Sequence, residues 1–453
     1  MKIDIYHLYR NFDYANFVYP IIVDVLKVWA QSAGWDVRVA VCKEKDVDLE
    51  TDADVVAFSV YTQHAPAAYR LSRRLRERGK VVVFGGPHFR GSFYQEGLDH
   101  CDVLATTINH DQWLEVLGDI EAGRVAAGGK TRVITDVENK FRYPDNFYET
   151  FKSQSFWQVP AIPTTLGCPY DCDFCNAYMQ GKYHFREVDT IYNELAHIRS
   201  KRPVLLLDAT FGLKKPWTIE LMKRIAPLEM NLWAESTLQR LQDTELLDAL
   251  VEGGVKWVTI GIESFNSPLK KLGREPLHEA LDRFLDNAHE RGMLVEGNFI
   301  CGLDCDGPES FEQVFEFYRR SSLDLIIIDI LTPYPNTSLY YNMLRDRRII
   351  DTDWEHYDYR HVVFRPKKMT EDQLIDGFNE LYKNLYSMST VSRKLKGVYT
   401  LGGLSMQSVG FTAYNLWSMF DRRRKERALN RNKDYVKALI DAQQPRLALD
   451  LAG

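Results

Sequence analysis

The stretch VPAIPTTLGCPYDCDFC, residues 159–175, places three of the chain's seven cysteines on a loop that follows a short apolar strand. Cys168, Cys172 and Cys175 have the spacing C-x3-C-x2-C, and Phe174 directly precedes the third. Three grouped thiolates can bind zinc or an iron–sulfur cluster. A structural zinc ion is usually bound by four protein ligands, and no fourth ligand follows nearby in the sequence. A cubane cluster held by three cysteines leaves one iron without a protein ligand. Structural zinc and buried thiols remain the alternative interpretations.

From Val159 onward, short apolar runs alternate with helical stretches through six units. The strand-like runs are VPAIPTTLG, PVLLLDATFG, NLWAES, WVTIGIES, MLVEGNFICGLD and LDLIIIDILTPYP. Strands that alternate with helices indicate a parallel sheet. We therefore predict a partial (β/α)6 TIM-type barrel over residues 158–340, with its active site at the carboxyl ends of the strands.

The segment before this barrel has the same alternation on a smaller scale. KIDIYHL, DVRVAV, ADVVAFSV, KVVVFGG and DVLATT are strand-like, and helical stretches separate them. Valine-rich runs of this kind predict a parallel sheet covered on both faces, a doubly wound Rossmann-like domain over residues 1–125. Residues 126–157 are interpreted as a connector, and residues 341–453 as a C-terminal region rich in α-helix. The fold class is α/β.

Composition excludes several classes of function. A net charge of -6 argues against general nucleic-acid binding, which needs a basic surface. No apolar run approaches the ~18 residues of a membrane span, and the N-terminus MKIDIYHLYR has no signal-peptide pattern. An odd number of cysteines, three of them clustered, is not typical of a disulfide framework, so we expect a reduced, cytoplasmic protein.

The cysteine motif, C-x3-C-x-aromatic-x-C, resembles the signature of the radical S-adenosylmethionine (SAM) superfamily. The resemblance implies that Cys168, Cys172 and Cys175 hold a [4Fe-4S] cluster whose open iron chelates the amino and carboxylate groups of SAM. It also implies reductive cleavage of SAM and hydrogen abstraction from an unactivated carbon. An external one-electron reductant of the flavodoxin or ferredoxin type would supply the electron.

Strand-end residues of the barrel resemble the SAM-binding segments of the same superfamily. Glu263 and Ser264 in GIES would face the nucleoside and methionine, and Gly297 and Gly302 in GNFICGLD would run beside the adenine. Glu235 and Asp208 end the third and second strands, and Asp208 would replace the glycine-glycine-glutamate with which many relatives hold the methionine amine. Capping or solvated carboxylates are the alternative for the acids.

A doubly wound domain before such a barrel resembles the radical SAM subgroup with a cobalamin-binding-like domain, in its hopanoid-methylase-like branch. The resemblance implies cobalamin contacts from Ser59, Thr62, Gly85, Gly86 and His88. Two segments depart from that pattern: ATTINHDQW after the fifth strand and NFVYPIIVDVL at the first helix. An empty or repurposed domain is the alternative.

Histidines follow four strands of the first domain, namely His7, His64, His88 and His110. Neutral imidazole is a good cobalt ligand, and we name His64 and His110 as candidates because both stand where the family pattern breaks. The alternative is that all four are polar loop residues near a cleft.

Cys301 and Tyr357 are candidate catalytic hydrogen donors. For each, packing in the core is the favoured interpretation, unless the side chain faces the barrel lumen.

The predicted function is cobalamin-dependent C-methylation of a small-molecule or lipid-like substrate. The alternatives are a cobalamin-free radical rearrangement, cyclisation or oxidation, and a non-catalytic iron–sulfur or corrinoid-binding protein. Residues 390–420 lack acidic side chains and precede Arg422, Arg423, Arg424 and Lys425. We therefore also consider peripheral contact with an anionic membrane, against the alternative of a helix packed on the barrel.

Overall fold

The computed structural model describes residues 1–10, 18–137, 140–144, 159–175, 183–198, 203–268, 276–403 and 405–441. Within them, two six-stranded parallel sheets are followed by a helical region. This confirms the predicted fold class. None of the helices among these residues is long and apolar enough to cross a membrane.

The first sheet has the strand order β2-β1-β3-β4-β5-β6. Its strands are β1 (Lys2–Leu8), β2 (Asp36–Cys42), β3 (Val55–Ser59), β4 (Val81–Gly85), β5 (Val103–Ala105) and β6 (Arg132–Ile134). The helices between them are α1 (Ile22–Ser32), α2 (Ala65–Arg76) and α3 (His110–Glu121). Strand β6 lies in the segment interpreted as a connector, and it pairs in parallel with β5.

The second sheet has the order β14-β13-β12-β11-β10-β7. Its strands are β7 (Ala161–Ile162), β10 (Val204–Leu206), β11 (Leu232–Ser236), β12 (Val255–Glu263), β13 (Leu294–Cys301) and β14 (Leu325–Ile330). A small antiparallel pair, β8 (Thr165–Leu166) and β9 (His184–Phe185), flanks the cysteine loop. Strictly sequential order is expected when each strand is joined to the next by a crossover helix.

Helices cover one face of the second sheet. They are α4 (Val188–Ile198), α5 (Lys215–Ile225), α6 (Leu238–Leu241), α7 (Thr244–Glu252), α8 (Leu277–Glu290) and α9 (Glu309–Arg320). Alternate strand residues, such as Leu232, Val258 and Ile260, share one apolar core with Leu247 and Phe284 of these helices. Strand alternation therefore turns the intervening residues toward the opposite face.

The C-terminal region is helical and closes that opposite face. Its helices are α10 (Ser338–Arg345), α11 (Glu371–Leu385), α12 (Met388–Gly402) and α13 (Met406–Asp441). Phe411 of α13 packs against Trp257 of β12, with ring centroids 4.7 Å apart, and Trp257 stacks on Trp233 of β11 at 4.2 Å.

The segment between β14 and α11 joins the two sheets. Glu355 forms ion pairs with Arg10 at 2.7 Å and with Arg70 at 3.2 Å. Trp354 donates its indole N–H to Glu96 at 2.7 Å, and the backbone N–H of Phe93 donates to Asn336 at 3.3 Å. The first sheet's carboxyl edge is therefore held against the segment that leaves the second sheet.

Candidate active site

The cysteine loop is anchored on both sides. The Cys168 thiol lies 3.8 Å from the Thr210 hydroxyl, which follows β10. On the other side, the backbone N–H of Leu339 in α10 donates to the carbonyl of Asp173 at 2.9 Å. The backbone N–H of Cys175 donates to the carbonyl of Cys172 at 3.0 Å, which folds the last four residues into a turn.

The loop supplies the three thiols that an iron–sulfur site uses as ligands. All three cysteines are partly exposed and carry no disulfide. A cubane distributes its three thiolates over three different irons, so it needs wider spacing than tetrahedral zinc.

Asp208 fastens the strand before this loop to β10. Its carboxylate accepts the backbone N–H groups of Thr164 at 3.0 Å and Thr165 at 2.6 Å, and both threonine hydroxyls as well. Burial raises the pKa of Asp208, and these hydrogen bonds oppose that rise. The carboxylate is thus occupied by the loop's own backbone, and its contact with the methionine amine stays a prediction.

Glu263 ends β12 in a strained conformation. It is buried, its φ is 64°, and the register between β12 and β13 shifts at this point. A left-handed backbone costs a non-glycine residue about 1–2 kcal/mol, and such outliers cluster at binding sites. Next to it, the Ser264 hydroxyl donates to Asp306 at 2.5 Å, which ties the β12 loop to the β13 loop.

Gly297 and Gly302 both have packing reasons to be glycine. A Cβ at Gly297 would lie 2.8 Å from Ile262 and 2.9 Å from Leu323, and Gly302 has a φ of 96°. Packing and backbone conformation are enough to explain why both positions are glycine. The contact of these glycines with adenine stays a prediction.

Glu235 lies in a polar layer on the face closed by α13. Backbone register aligns Glu235 with Thr259, and Thr259 with Glu296. The Thr259 hydroxyl donates to Glu296 at 3.3 Å and accepts from the indole of Trp233 at 2.8 Å. Burial, and then the charge of Glu235, raises the pKa of Glu296 to about 8.

The sequence interpretation missed two residues that lie shortly after Glu235, Thr237 and Arg240. The Thr237 hydroxyl and the Arg240 Nε are buried without a hydrogen-bond partner in the structure as described. The Tyr183 hydroxyl donates to the carbonyl of Thr210 at 3.5 Å, beside Cys168. Burial raises the pKa of Tyr183, and the charge of Arg240 opposes that rise. Orphaned buried donors beside a cluster site suit a bound carboxylate. No motif marks them, because a threonine and an arginine after a strand are common.

Comparison with known proteins supports this reading of the loop and the barrel. Residues 162–318 match the Radical SAM superfamily. The chain therefore carries a radical SAM domain. The bacteriochlorophyllide d C-12(1)-methyltransferase of Chlorobaculum tepidum is 27% identical over 356 residues, 76% of this chain and 77% of the relative. The bacteriochlorophyllide d C-8(2)-methyltransferase of the same organism is 24% identical, over 70% of this chain and 74% of the relative.

A solved structure shares the fold of nearly the whole chain. It is the radical SAM methyltransferase TsrM from Kitasatospora setae, with tryptophan substrate and a SAM analogue bound. The TM-score is 0.63 at 14% identity, over 96% of this chain and 99% of TsrM. At that identity the likeness concerns the fold.

The radical SAM domain makes the chain an enzyme that uses a [4Fe-4S] cluster and SAM. The alternative of a non-catalytic cofactor-binding protein is therefore set aside.

In the first domain, the ends of β3 and β4 are locked together. The backbone N–H of Val60 donates to the carbonyl of Gly85 at 2.7 Å. Gly86 has a φ of 115°, and a Cβ there would lie 2.6 Å from the Val60 N and O atoms. Gly86 must therefore be glycine to pack on the neighbouring loop. Ser59 and Thr62 are buried at the same edge. Cobalamin contact by these four residues and by His88 stays a prediction.

The four histidines do not form one group. The rings of His7 and His64, both buried, lie 6.3 Å apart. His88 is enclosed by aromatic rings in the junction with the C-terminal region, and its Nε2 lies 3.2 Å from the Tyr69 hydroxyl. His110 is on the surface at the start of α3, where its Nδ1 lies 2.9 Å from Asp111. Of the two cobalt-ligand candidates, only His64 is close to another histidine of the set; ligation by either stays a prediction.

Cys301 and Tyr357 have the surroundings of core residues. Cys301 belongs to the main apolar core, and burial raises the pKa of its thiol well above the ordinary value. The Tyr357 hydroxyl donates to the carbonyl of Asp351 at 2.8 Å, and its ring lies 4.8 Å from Trp354. These contacts favour the packing interpretation of both.

Tyr359, two residues beyond Tyr357, is a stronger candidate for contact with substrate. It has a φ of 65° and is 46% exposed, and its ring lies 5.2 Å from that of Tyr334. Burial nevertheless raises the pKa of its phenol, and the charges of Asp329, Cys175 and Tyr61 bear on it.

Proposed function

We propose that this radical SAM enzyme is a cobalamin-dependent C-methyltransferase. The observation that carries the proposal is the apposition of the two sheets, with the first domain's carboxyl edge held toward the cysteine loop. Tyr334, just beyond β14, donates to the Gln63 amide oxygen after β3 at 3.5 Å. Leu339 of the following helix α10 donates its backbone N–H to the carbonyl of Asp173 in the cysteine loop at 2.9 Å. A corrinoid bound at that edge, as ligands of such sheets are, would face the SAM site. Both bacteriochlorophyllide relatives named above are methyltransferases.

In this proposal each group of residues has a defined role. Cys168, Cys172 and Cys175 hold the cluster, and Arg240 with Thr237 binds the methionine carboxylate. Glu263 faces the nucleoside, and its backbone strain fixes the direction of the side chain. When bound, the cluster supplies the electron that cleaves SAM, and cobalamin supplies the methyl group.

A second candidate is a cobalamin-free radical reaction, and one observation favours it. In the departing segment after β5, the Asn109 side chain accepts the backbone N–H of Gln112 at 3.0 Å and donates to Asp136 at 3.0 Å. The polar side chain of Asn109 in this turn therefore already has hydrogen-bond partners within the protein and does not need a bound corrinoid to supply them.

The experiment separates the two candidates. Protein reconstituted anaerobically with iron, sulfide and cobalamin is given SAM labelled with deuterium in its methyl group, with a reductant and a bacteriochlorophyllide. Deuterated methyl in a product, dependent on cobalamin, supports methyl transfer. Formation of 5'-deoxyadenosine that is unaffected by cobalamin, with no labelled product, would favour the second candidate.

We also propose a flavodoxin- or ferredoxin-type reductant and a peripheral contact of α13 with anionic lipid. Val409, Leu416 and Phe420 are exposed on α13, and Phe420 is 77% exposed. The buried Phe411 supports the packing alternative for the opposite side of the same helix. Flotation with anionic vesicles tests the contact: salt-sensitive binding that Phe420→Ser weakens supports it, and no binding contradicts it.

A further inference from the structure

Two basic stretches of the segment between β14 and α11 meet in the folded chain. Residues 345–348, RDRR, begin at the last residue of α10, and residues 365–368, RPKK, lie shortly before α11. An antiparallel bridge between Ile349 and Phe364 joins them. The backbone N–H of Arg365 donates to the carbonyl of Arg348, and the Arg348 Nε donates to the carbonyl of Arg365, both at 2.7 Å. The two stretches therefore form one basic surface.

This basic surface is fixed to the loop that follows β13. Arg348 and Lys367 both pair with Asp304, at 2.6 Å and 2.7 Å, and the Lys368 Nζ donates to the carbonyl of Cys305 at 3.2 Å. At the opposite end of α10, the backbone N–H of Leu339 donates to Asp173 of the cysteine loop at 2.9 Å. A helix rises about 1.5 Å per residue, so the basic surface begins only about 9 Å along α10 from the cysteine loop.

The basic surface carries more positive charge than its own acids neutralise. Three carboxylates pair with it, those of Asp304, Asp346 and Glu371. Among the described residues, no carboxylate pairs with Arg347 or Lys368. The whole chain has a net charge of -6, so this surface is a local exception. Its six basic side chains, all exposed except the half-buried Arg348, are Arg345, Arg347, Arg348, Arg365, Lys367 and Lys368.

Arg347 adds an observation from the backbone. Its φ is 54°, in the left-handed region that is unfavourable for a residue with a Cβ, and its side chain is exposed. Packing of the side chain in the core therefore does not explain this conformation. Residues held in such conformations cluster at functional sites, which agrees with a binding role for this turn.

The position of the basic surface beside the cysteine loop indicates what it binds. A cluster that cleaves SAM needs one electron from outside in each turnover. Asp171 and Asp173 are exposed on the cysteine loop itself, so an acidic protein would be repelled there and attracted on the α10 side. Complementary charge of this kind steers and orients a protein partner.

We propose that the basic surface docks an acidic electron-carrier protein that reduces the cluster. In each turnover the carrier loses one electron to the cluster and leaves oxidised by one electron, and that electron breaks the sulfur–carbon bond of SAM. The inference rests on the proposed one-electron reductant, and it does not depend on whether the reaction is methyl transfer.

The test compares a protein reductant, which must dock, with a small one, which need not. Initial rates of 5'-deoxyadenosine formation by the full, cluster-reconstituted chain are measured against the concentration of a reduced, acidic flavodoxin, and separately with saturating dithionite. The first variant combines Arg347→Glu with Lys368→Glu, and the second combines Arg347→Gln with Lys368→Gln. The matched control combines Arg73→Glu with Arg74→Glu, two exposed charge reversals on α2. Flotation with anionic vesicles is measured for the same proteins.

We expect the first variant to raise the KM for flavodoxin about tenfold at low ionic strength and the second to raise it less, while the control keeps the wild-type value. Added salt should raise the wild-type KM, because it screens exposed charges, and should affect the first variant less. Rates with dithionite should be unchanged in every variant that keeps its iron. If the first variant loses iron, the second variant decides.

The docking proposal is overturned if both variants keep the wild-type KM for flavodoxin, or if the control raises it equally. It is also overturned if the variants lose binding to anionic vesicles while the KM stays unchanged, since the surface would then bind lipid. A wild type that forms no 5'-deoxyadenosine with either reductant would instead contradict the SAM cleavage on which the proposal rests. Failure of methyl transfer with these results intact would count against the proposed function only.

Discussion

Three thiols on one anchored loop determine the chemistry of this protein at the residue scale. Replacing Cys168, Cys172 or Cys175 by alanine removes a ligand that no neighbouring side chain can supply. We expect each variant to lose most of its iron and the broad absorbance of the cluster after anaerobic reconstitution, whereas Cys42→Ala, in β2, should keep both. A full iron content in all three variants would contradict the cluster assignment.

Arg240 gives a second prediction, because its Nε is buried without a partner beside the cysteine loop. Arg240→Gln should raise the dissociation constant for SAM about tenfold, since a charge-assisted hydrogen bond contributes about 1.5–3 kcal/mol. Iron content should not change. A larger loss for S-adenosylhomocysteine than for 5'-deoxyadenosine, which has no carboxylate, would locate the effect at the methionine end. Equal losses for both compounds would show that Arg240 acts only through packing.

Glu263 can be tested through its unusual backbone. Glu263→Gln keeps the shape of the side chain and should weaken SAM binding at a constant iron count. Glu263→Gly should relieve the cost of the positive φ and raise thermal stability, while weakening SAM binding further. An unchanged affinity for SAM in both variants would remove Glu263 from the site.

At the scale of elements, the polar layer formed by β11, β12 and β13 predicts a pH-dependent stability. The pKa of Glu296 is raised to about 8 from its ordinary value of 4.5. Between these values the folded state holds a proton that the unfolded state releases, so stability falls as pH rises through this window, by up to about 1.4 kcal/mol per pH unit. Glu296→Gln should therefore be more stable than wild type at pH 8.5, with a smaller difference near pH 5.

Thermal unfolding of Glu296→Gln and of the exposed control Glu290→Gln, measured from pH 5 to pH 8.5, checks this expectation. The control should follow the wild-type profile. A parallel shift of Glu296→Gln at all pH values would mean that the carboxyl group does not titrate in this range.

The elements themselves were largely predictable, because valine-rich strands and amphipathic helices are local patterns. The sequence predicted the two parallel sheets and the strand-end positions of Glu263 and Asp208. It did not predict that Asp208 would be occupied by Thr164 and Thr165, since that contact joins two strands distant in sequence. Arg240 was missed for the same reason. Its Nε is buried without a hydrogen-bond partner in the structure as described, and that burial is defined only by the assembled fold.

At the scale of the whole molecule, the proposed reaction requires that two α/β units place their carboxyl edges toward one space. The segment after β14 holds them there through Glu355, Trp354 and Tyr334. This arrangement brings the cysteine loop of the second unit toward the first domain. A corrinoid bound at the edge of the first domain, as proposed, would then lie beside the SAM site.

The central claim, that this chain cleaves SAM at a cluster held by its cysteine loop, is tested most directly by detection of 5'-deoxyadenosine. Protein reconstituted anaerobically is incubated with SAM and dithionite, and the products are separated by liquid chromatography with mass detection. We expect 5'-deoxyadenosine from the wild type and none above background from a variant in which Cys168, Cys172 and Cys175 are all alanine. Equal amounts from the two proteins, or none from a wild type that carries a full cluster, would contradict the account.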